Sequence, residues 1–310
     1  MKKQMIALAV AGAFAGSAFA ANVDVYGVVD TGLVYTQTEV GGVLSSAKAE
    51  GHKFSMDSGV NSGNRLGLRG TEDLGDGYSV SFRLENGFNS DTGVLGQDGQ
   101  LFGREARLSM NTPYGTVSFG RMGALTSGAG TYDVFQATGD ALDGGNANYI
   151  GTGYWFSRGR CDNMITLVTP EANGFTGYAQ YSFQTSGTEN ASVRKNDRYM
   201  ALGLTYSAGP LNVAVIADMV EYSNDTVAKL NYVNTYAGFS KKKYDDAKAI
   251  SFGVNYDFGV TQAFFGAQYG KNEKLDISNF GKQIDDTTDS ATDGKLDVES
   301  LVVDGYNLHI

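Results

Sequence analysis

The connections between the apolar segments of this chain alternate between short and long, and all three prolines fall in short connections. Proline cannot donate a hydrogen bond to a strand ladder, so its confinement to turns favours strands elsewhere. Tight turns on one side and long loops on the other are typical of a β-barrel that spans an outer membrane. The prolines are Pro113, Pro170 and Pro210; the short connections are 73–77, 111–115, 169–174, 207–210 and 257–259, and the long ones are 37–51, 89–100, 122–157, 185–196, 222–247 and 271–297.

The segments between these connections show the two-residue alternation of a strand with one apolar face. Every second residue from Ile250 to Phe258 is apolar, and polar or small residues lie between them. We therefore predict an all-β, antiparallel transmembrane barrel, since a soluble β-sandwich would alternate without the one-sided difference in loop length. About twelve strands are predicted, near 23–36, 60–72, 77–89, 101–112, 115–122, 160–169, 174–185, 197–207, 210–222, 248–258, 260–270 and 299–310.

The first twenty residues match an export signal. Two lysines precede an apolar run, and Ala18-Phe19-Ala20 fits the small-residue pattern at which such signals are cleaved. We expect a signal peptide, 1–20, cleaved after Ala20, followed by an exported domain, 21–310. No later segment reaches the roughly 18 apolar residues of a spanning helix, so strands would have to cross any membrane.

Charge and cysteine content exclude several classes of protein. The formal charge is −10 and becomes more negative when the signal and its lysines are removed, which argues against nucleic acid as a partner. A single cysteine, Cys161, cannot form an internal disulfide. Its default role is that of a small strand residue.

The sequence contains no constellation typical of an enzyme, a cofactor site or a metal site. A barrel hydrolase needs a general base, usually a histidine beside an acid or a serine. The only histidines are His52, at the edge of a long connection, and His309, near the chain end. The acidic stretch 289–300 departs from a calcium-loop pattern at Ala291 and Ser300. We expect no enzyme activity, no cofactor and no metal.

Three stretches of the sequence carry patterns shared with a known family. They are VDVYGVVDTGLVY (23–35), GNRLGLRGTEDLGDGYSVSFRLENGF (63–88), whose turn reads G-x-E-D-L-G-x-G, and LFGREARLSMNTPYGTVSFGRM (101–122). Together they resemble the Gram-negative general porin family, in the branch of the neisserial and other betaproteobacterial porins. With a weaker match over 160–175, the resemblance is close from Val23 to about Tyr181.

This resemblance implies a barrel of about sixteen strands, assembled as a homotrimer in outer-membrane lipid and lipopolysaccharide. Porins of this family end on an aromatic residue, whereas this sequence ends Asn307-Leu308-His309-Ile310. We therefore expect 21–310 to be a C-terminally incomplete porin domain, about four strands short of the family.

The long connection 123–157 is the candidate constriction loop, which in the family folds into the barrel and narrows it. The loop is rich in glycine and carries three acidic residues, Asp133, Asp140 and Asp143. Opposed charges at a narrow point are what give a wide pore its selectivity. The alternative is a loop that stays outside the barrel.

The resemblance also implies a cluster of arginines on the barrel wall, at Arg65, Arg104 and Arg160. Alternation supports Arg65, because Leu66 and Leu68 would face lipid and Arg65 the lumen. Near the next strand the two criteria disagree: the family pattern favours Arg104 and the hydropathy favours Arg107. Further candidates are Arg83, Arg121 and Arg158. For each arginine, a place at the wet rim or in a subunit contact remains an alternative.

We interpret the chain as an outer-membrane general porin through which ions and small hydrophilic solutes diffuse passively. The alternatives are a substrate-selective outer-membrane channel and an adhesin that binds through its long loops. Ion preference stays open, because the arginines favour anions and the acidic loops favour cations.

Overall fold

The computed structural model describes residues 22–41, 48–128, 130–134, 158–228, 245–276 and 300–309, and strands dominate these residues. The described part of the chain has fourteen strands: β1 (Asn22–Val28), β2 (Thr31–Gly41), β3 (Lys48–Ser58), β4 (Arg65–Gly75), β5 (Tyr78–Gly87), β6 (Glu105–Thr112), β7 (Gly115–Gly123), β8 (Arg160–Val168), β9 (Phe175–Ser182), β10 (Arg198–Ala208), β11 (Leu211–Glu221), β12 (Ala247–Asp257), β13 (Gln262–Asp276) and β14 (Ser300–His309). Short helical turns lie at Gln97–Gly99, Val193–Lys195 and 224–228. None of the described helices is long and apolar enough to cross a membrane.

The chain divides into two compact units, Met1–Thr112 and Pro113–Ile310. In the first unit, an antiparallel sheet has the strand order β1-β4-β5-β6, and β2 and β3 form a separate two-stranded sheet. In the second unit, the eight strands from β7 to β14 pair in chain order, each antiparallel to the next. The predicted antiparallel, all-β class is confirmed. The predicted signal peptide, 1–20, lies outside the described residues.

The first predicted strand, 23–36, is broken into β1 and β2 at Asp30. One carboxylate oxygen of Asp30 accepts hydrogen bonds from the backbone N–H groups of Asn61 (2.9 Å) and Ser62 (2.7 Å). The amide of Asn64 donates to the carbonyl oxygen of Asp30 over 3.0 Å. These bonds satisfy backbone groups that leave the ladder, as buried polar groups require.

The structure differs from the sequence prediction in the connection 37–51. We predicted a long loop there, whereas β2 continues to Gly41 and β3 begins at Lys48. Along this hairpin, Leu33 pairs with Met56 and Tyr35 with Phe54. These large cross-strand pairs favour continued pairing, which alternation within one segment does not show.

The first short connection forms a tight turn between β4 and β5. Gly75, Asp76 and Gly77 have φ values of 85°, 52° and 79°, which lie in the left-handed region that glycine and aspartate tolerate best. The N–H of Gly75 donates to the Asp73 carboxylate over 2.9 Å. This turn fixes the register of β4 against β5 and so decides which side chains meet.

In both units one sheet face exposes apolar side chains and the other holds the buried and polar ones. In the first unit the exposed face carries Val25, which is 70% exposed, with Leu66 and Leu108. In the second unit it carries Leu202, which is 68% exposed, and Ile250. An apolar exposed face opposite a polar one is the arrangement of a strand between lipid and water.

A bulge in β8 changes which residues share a face. Asn163 has a φ of 50°, and the register of β7 against β8 shifts there. Met122 pairs with Cys161, and Gly120 pairs with Met164, so that Cys161 and Met164 lie on the same face although they are three residues apart. One extra residue in a strand reverses the alternation beyond it.

Candidate functional site

The polar face of the first unit carries two rows of like charges that lie side by side. In the register of β5 against β6, Arg83 pairs with Arg107 and Glu85 pairs with Glu105. Like charges directly opposite each other destabilise a sheet. The two rows are stabilised by ion pairs between the arginines and the carboxylates. Some of these ion pairs run along one strand, and others run diagonally to the neighbouring strand.

Glu85 accepts most of these bonds. Its Oε1 accepts a bond from Arg104 Nε over 2.6 Å. Its Oε2 accepts bonds from Arg83 and from the Tyr26 hydroxyl, each over 2.8 Å. The side chain of Glu85 is only 6% exposed. A nearly buried carboxylate needs such charged and hydrogen-bonding partners, and here three side chains supply them.

Glu105 is held in a similar way. Arg107 Nε donates to its Oε1 over 2.6 Å, and Arg83 Nε lies 3.5 Å from its Oε2. Arg107 also donates to the hydroxyl of Ser109. The side chain of Glu105 is 2% exposed. Arg83 therefore bridges both glutamates.

Tyr26 lies between two guanidinium groups and above a glycine. Arg69 Cζ is 5.4 Å and Arg83 Cζ is 5.3 Å from the centroid of its ring, within the range of cation–π attraction. Gly67 pairs with Tyr26 across β1 and β4, and a Cβ added there would lie 2.3 Å from the ring atom Cζ of Tyr26. Only glycine leaves room for the ring in this position. Arg69 also pairs with Asp24 over 3.3 Å.

We name these residues the arginine–carboxylate cluster: Asp24, Tyr26, Arg65, Arg69, Arg83, Glu85, Arg104, Glu105 and Arg107. It contains five arginines and three carboxylates, so this face has an excess of positive charge. The guanidinium of Arg65 makes one hydrogen bond among the described residues, to Ser62 Oγ over 3.3 Å.

The structure reconciles the conflicting predictions for Arg104 and Arg107. Arg107 lies within β6 on the same face as Glu105, as hydropathy favoured. Arg104 precedes β6, where strand alternation does not constrain it, and its guanidinium reaches Glu85 on the polar face. Both arginines, with Arg65 and Arg83, are therefore brought together in the first unit.

The remaining candidate arginines belong to the second unit and lie elsewhere. Arg121 forms an ion pair with Asp162 over 2.6 Å, on the face opposite to Met122. Arg160 begins β8 and pairs with Gly123 at the strand end. Arg158 forms an ion pair with Asp218 over 2.5 Å and is almost fully buried.

Of the three acidic loop residues, only Asp133 is described. It is buried, next to Tyr132 and Val134 of the hydrophobic cluster of the second unit. Asp140 and Asp143 lie outside the described residues, and so does the acidic stretch 289–299.

Sequence reasoning missed the residues that organise the arginines, namely Tyr26, Glu85 and Glu105. The two-residue spacing of Arg83 and Glu85 was a usable signal, because such residues share a strand face. The tight turn at 73–77 was a second signal, since it sets the register of β4 against β5 that places Gly67 opposite Glu85 and Arg69 opposite Arg83. Without the register of β5 and β6, Glu105 could not be assigned to this cluster.

The described residues contain no cluster of three or more potential metal ligands among histidine, cysteine, aspartate and glutamate. His52 lies beside Tyr35 on the β2–β3 hairpin, and the Tyr35 hydroxyl is 2.8 Å from its Nδ1. His309 is in β14. The groups gathered on the polar face are arginines and carboxylates, most of them in ion pairs, and their net positive charge can attract anions.

Comparison with known proteins gives a consistent result. A family model described as Gram-negative porin matches residues 7–294. The chain is 39% identical to an outer membrane porin protein of Bordetella pertussis over 73% of its own length and 61% of that protein's. It is 32% identical to outer membrane porin protein 32 of Delftia acidovorans, over 84% of this chain and 68% of that protein.

A solved structure shows the same fold. The anion-selective porin from Comamonas acidovorans matches with a TM-score of 0.54 and 24% identity, over 81% of this chain and 68% of that one. The chain thus spans about three fifths of the length of the Bordetella relative and about two thirds of the Delftia relative. By its sequence and its fold, the chain belongs to the Gram-negative porin family.

Proposed function

We propose that this protein forms a water-filled channel through which ions and small hydrophilic solutes diffuse passively across the outer membrane. Membership of the porin family places it in the outer membrane of a Gram-negative bacterium, and the family's members are channels rather than enzymes.

The observation that carries this proposal is the division of polar and apolar residues between the two sheet faces. Leu66, Leu68 and Leu108 are exposed on one face of the first unit, and the arginine–carboxylate cluster occupies the other. A water-soluble sheet would expose its charges and bury its leucines. The observed pattern suits a wall with lipid outside and water inside.

We propose that the arginine–carboxylate cluster lines this channel. Its positive excess would raise the local concentration of anions, because charges near a low-dielectric wall are poorly screened. The buried glutamates hold the guanidinium groups in fixed positions, so that a passing ion meets a preformed surface.

We further propose that the segment 123–134, whose described residues are 123–128 and 130–134, narrows the channel. This segment begins the predicted constriction loop and lies on the buried face of its sheet, opposite the exposed leucines. The acidic residues Asp133, Asp140 and Asp143 belong to the same connection. The functional unit that we propose is a homotrimer in lipid and lipopolysaccharide, and heat-dependent mobility of detergent-extracted protein tests that assembly.

Swelling of proteoliposomes in sugars of increasing size tests the channel. We expect swelling with monosaccharides, with rates that fall as the sugar becomes larger, and none with a large dextran. Vesicles without protein are the control. Protein that inserts but gives no swelling with any sugar would contradict the proposal. If such protein binds to a host surface, that result would favour the alternative that the chain is an adhesin.

A further inference from the structure

The segment 123–134 packs closely onto the sheet of the second unit. Ala124 and Leu125 are fully buried, and Tyr132 and Val134 join the same hydrophobic cluster as Cys161. Below Leu125 lies Gly203, where an added Cβ would be 2.8 Å from Leu125 Cδ1. The chain therefore leaves the end of β7 and folds back over the strands, and its buried residues share one hydrophobic cluster with Cys161.

Gln180, in the middle of β9, holds the start of this segment. Its amide nitrogen donates to the carbonyl oxygen of Gly123 over 3.1 Å, and its Oε1 accepts a hydrogen bond from the N–H of Leu125 over 2.9 Å. The same amide nitrogen donates to Thr166 Oγ1 over 3.0 Å. One buried amide thus satisfies a backbone carbonyl at the end of β7 and a backbone N–H just beyond it.

The Arg158–Asp218 ion pair holds the point where the connection returns to the sheet. Arg158 Nε donates to Asp218 Oδ1 over 2.5 Å, with the two side chains 8% and 0% exposed. Asp218 is flanked across the sheet by Ala201 and Ala249. These small neighbours leave space above the carboxylate for the guanidinium of Arg158.

The two ends of the connection are also bonded to each other. The N–H of Ala124 donates to the carbonyl oxygen of Gly159 over 3.0 Å. Release of Arg158 would therefore loosen the start of the segment as well as the point where the connection returns to the sheet. A charge as deeply buried as Asp218 is strongly destabilising when its partner is removed.

We infer that Gln180 and the Arg158–Asp218 pair are positioning residues that fix the segment 123–134 on the sheet and thereby set how much of the channel this segment fills. The effect on the width of the channel rests on the proposed function, whereas the anchoring of the segment does not. Arg158 acts through position, because its charge is buried and neutralised.

Cys161 provides a reporter for this anchoring. It is the only cysteine of the chain, it is 3% exposed, and it belongs to the hydrophobic cluster that residues of the segment complete. A thiol reagent reaches such a residue only when the covering segment lifts from the sheet. Its rate of modification therefore measures local opening in the full-length protein without any introduced label.

The test compares the rate at which a hydrophilic maleimide modifies Cys161 in the folded full-length protein and its variants. We expect Asp218→Asn and Gln180→Ala each to raise the rate about tenfold or more. The double variant Arg158→Met with Asp218→Leu should return towards the native rate, since an apolar pair leaves no buried charge. Arg198→Gln is the matched control, because it breaks an ion pair with Glu221 of β11, the strand that also carries Asp218.

Conductance of the same preparations in planar bilayers separates the anchoring of the segment from the proposed channel function. The inference predicts that Gln180→Ala, which alters no charge, changes the conductance and leaves the reversal potential in a salt gradient unchanged. If both single variants leave Cys161 as protected as in the native protein, or if Arg198→Gln exposes it equally, the anchoring is wrong. A native protein that gives no current overturns the channel, and the maleimide rates still decide the anchoring.

Discussion

Glu85 and Glu105 lie directly opposite each other on β5 and β6, so two nearly buried carboxylates are neighbours in the sheet. Arg83 reaches both of them, at 2.8 Å and 3.5 Å. Two negative charges in this position would repel each other without the surrounding guanidinium groups. The arginines of this face are therefore structural partners of the carboxylates as well as candidate channel-lining groups.

Replacement of Glu85 with glutamine tests this dual role. The change removes the charge that holds Arg83, Arg104 and Tyr26. We expect the reversal potential in a salt gradient to move towards anions, and the stability in detergent to fall by roughly 1 to 3 kcal/mol.

Asp24→Asn is the control for Glu85→Gln, because Asp24 also pairs with an arginine but in an exposed position. It should lower the stability by less than about 1 kcal/mol. Equal losses of stability in the two variants would show that burial of Glu85 does not matter.

Arg65 and Arg107 should respond differently to replacement with serine. Arg65 makes one hydrogen bond among the described residues, so Arg65→Ser should move the reversal potential towards cations with little loss of stability. Arg107→Ser should also lower the stability, because Glu105 would keep a buried charge with fewer partners. Thermal unfolding together with reversal potentials would measure both effects. A loss of stability without a shift in potential for Arg65→Ser would assign Arg65 to a structural contact.

Gly67→Ala should disturb the position of Tyr26. The new methyl group would lie 2.3 Å from an atom of the tyrosine ring, so the ring must move away from its place between Arg69 and Arg83. We expect a stability loss of roughly 1 to 3 kcal/mol from this overpacking, measured by thermal unfolding. Gly177→Ala is the control, because its methyl group would meet the nearest atom of Thr169 at 3.3 Å. If the two variants unfold alike, the tyrosine does not depend on the glycine.

A charge on the apolar face should oppose membrane insertion. Leu202 lies in β10 and is among the most exposed of the apolar residues that the structure describes. We expect Leu202→Lys to lower the stability in lipid by about 2 to 4 kcal/mol, as a lysine near the middle of the bilayer does. Val260→Lys changes an equally apolar side chain in a short turn and should have little effect. The measurement is the folding yield in lipid vesicles over a series of urea concentrations. If Leu202→Lys is tolerated, the orientation of this face towards lipid is wrong.

Alternation and turn residues were enough to predict most strands, because they reflect local geometry that each segment carries by itself. β12 is the clearest case: the alternating residues 250–258 lie almost entirely within Ala247–Asp257. The bulge at Asn163 could not be predicted, because the composition of β8 does not reveal where an extra residue is inserted. Beyond that residue the side chains of the strand point to opposite faces from those that alternation predicts. For the same reason Cys161 could not be assigned to the buried cluster.

The candidate site was only partly predictable for a similar reason. Arg65 was assigned to the polar face from its leucine neighbours, and the structure places it there. Glu105 and Tyr26 belong to the same cluster through cross-strand register, which depends on turns and bulges elsewhere in the chain. Single-strand patterns contain no information on such partners.

The most direct test of the account is the single-channel conductance of the full-length protein in planar bilayers over a series of potassium chloride concentrations. A water-filled channel lets ions pass largely hydrated, so the account predicts large current steps whose conductance rises nearly in proportion to the conductivity of the bulk solution. Bilayers that stay silent with correctly folded protein, or a conductance that saturates at low salt as it does when ions must bind a specific site, would contradict it.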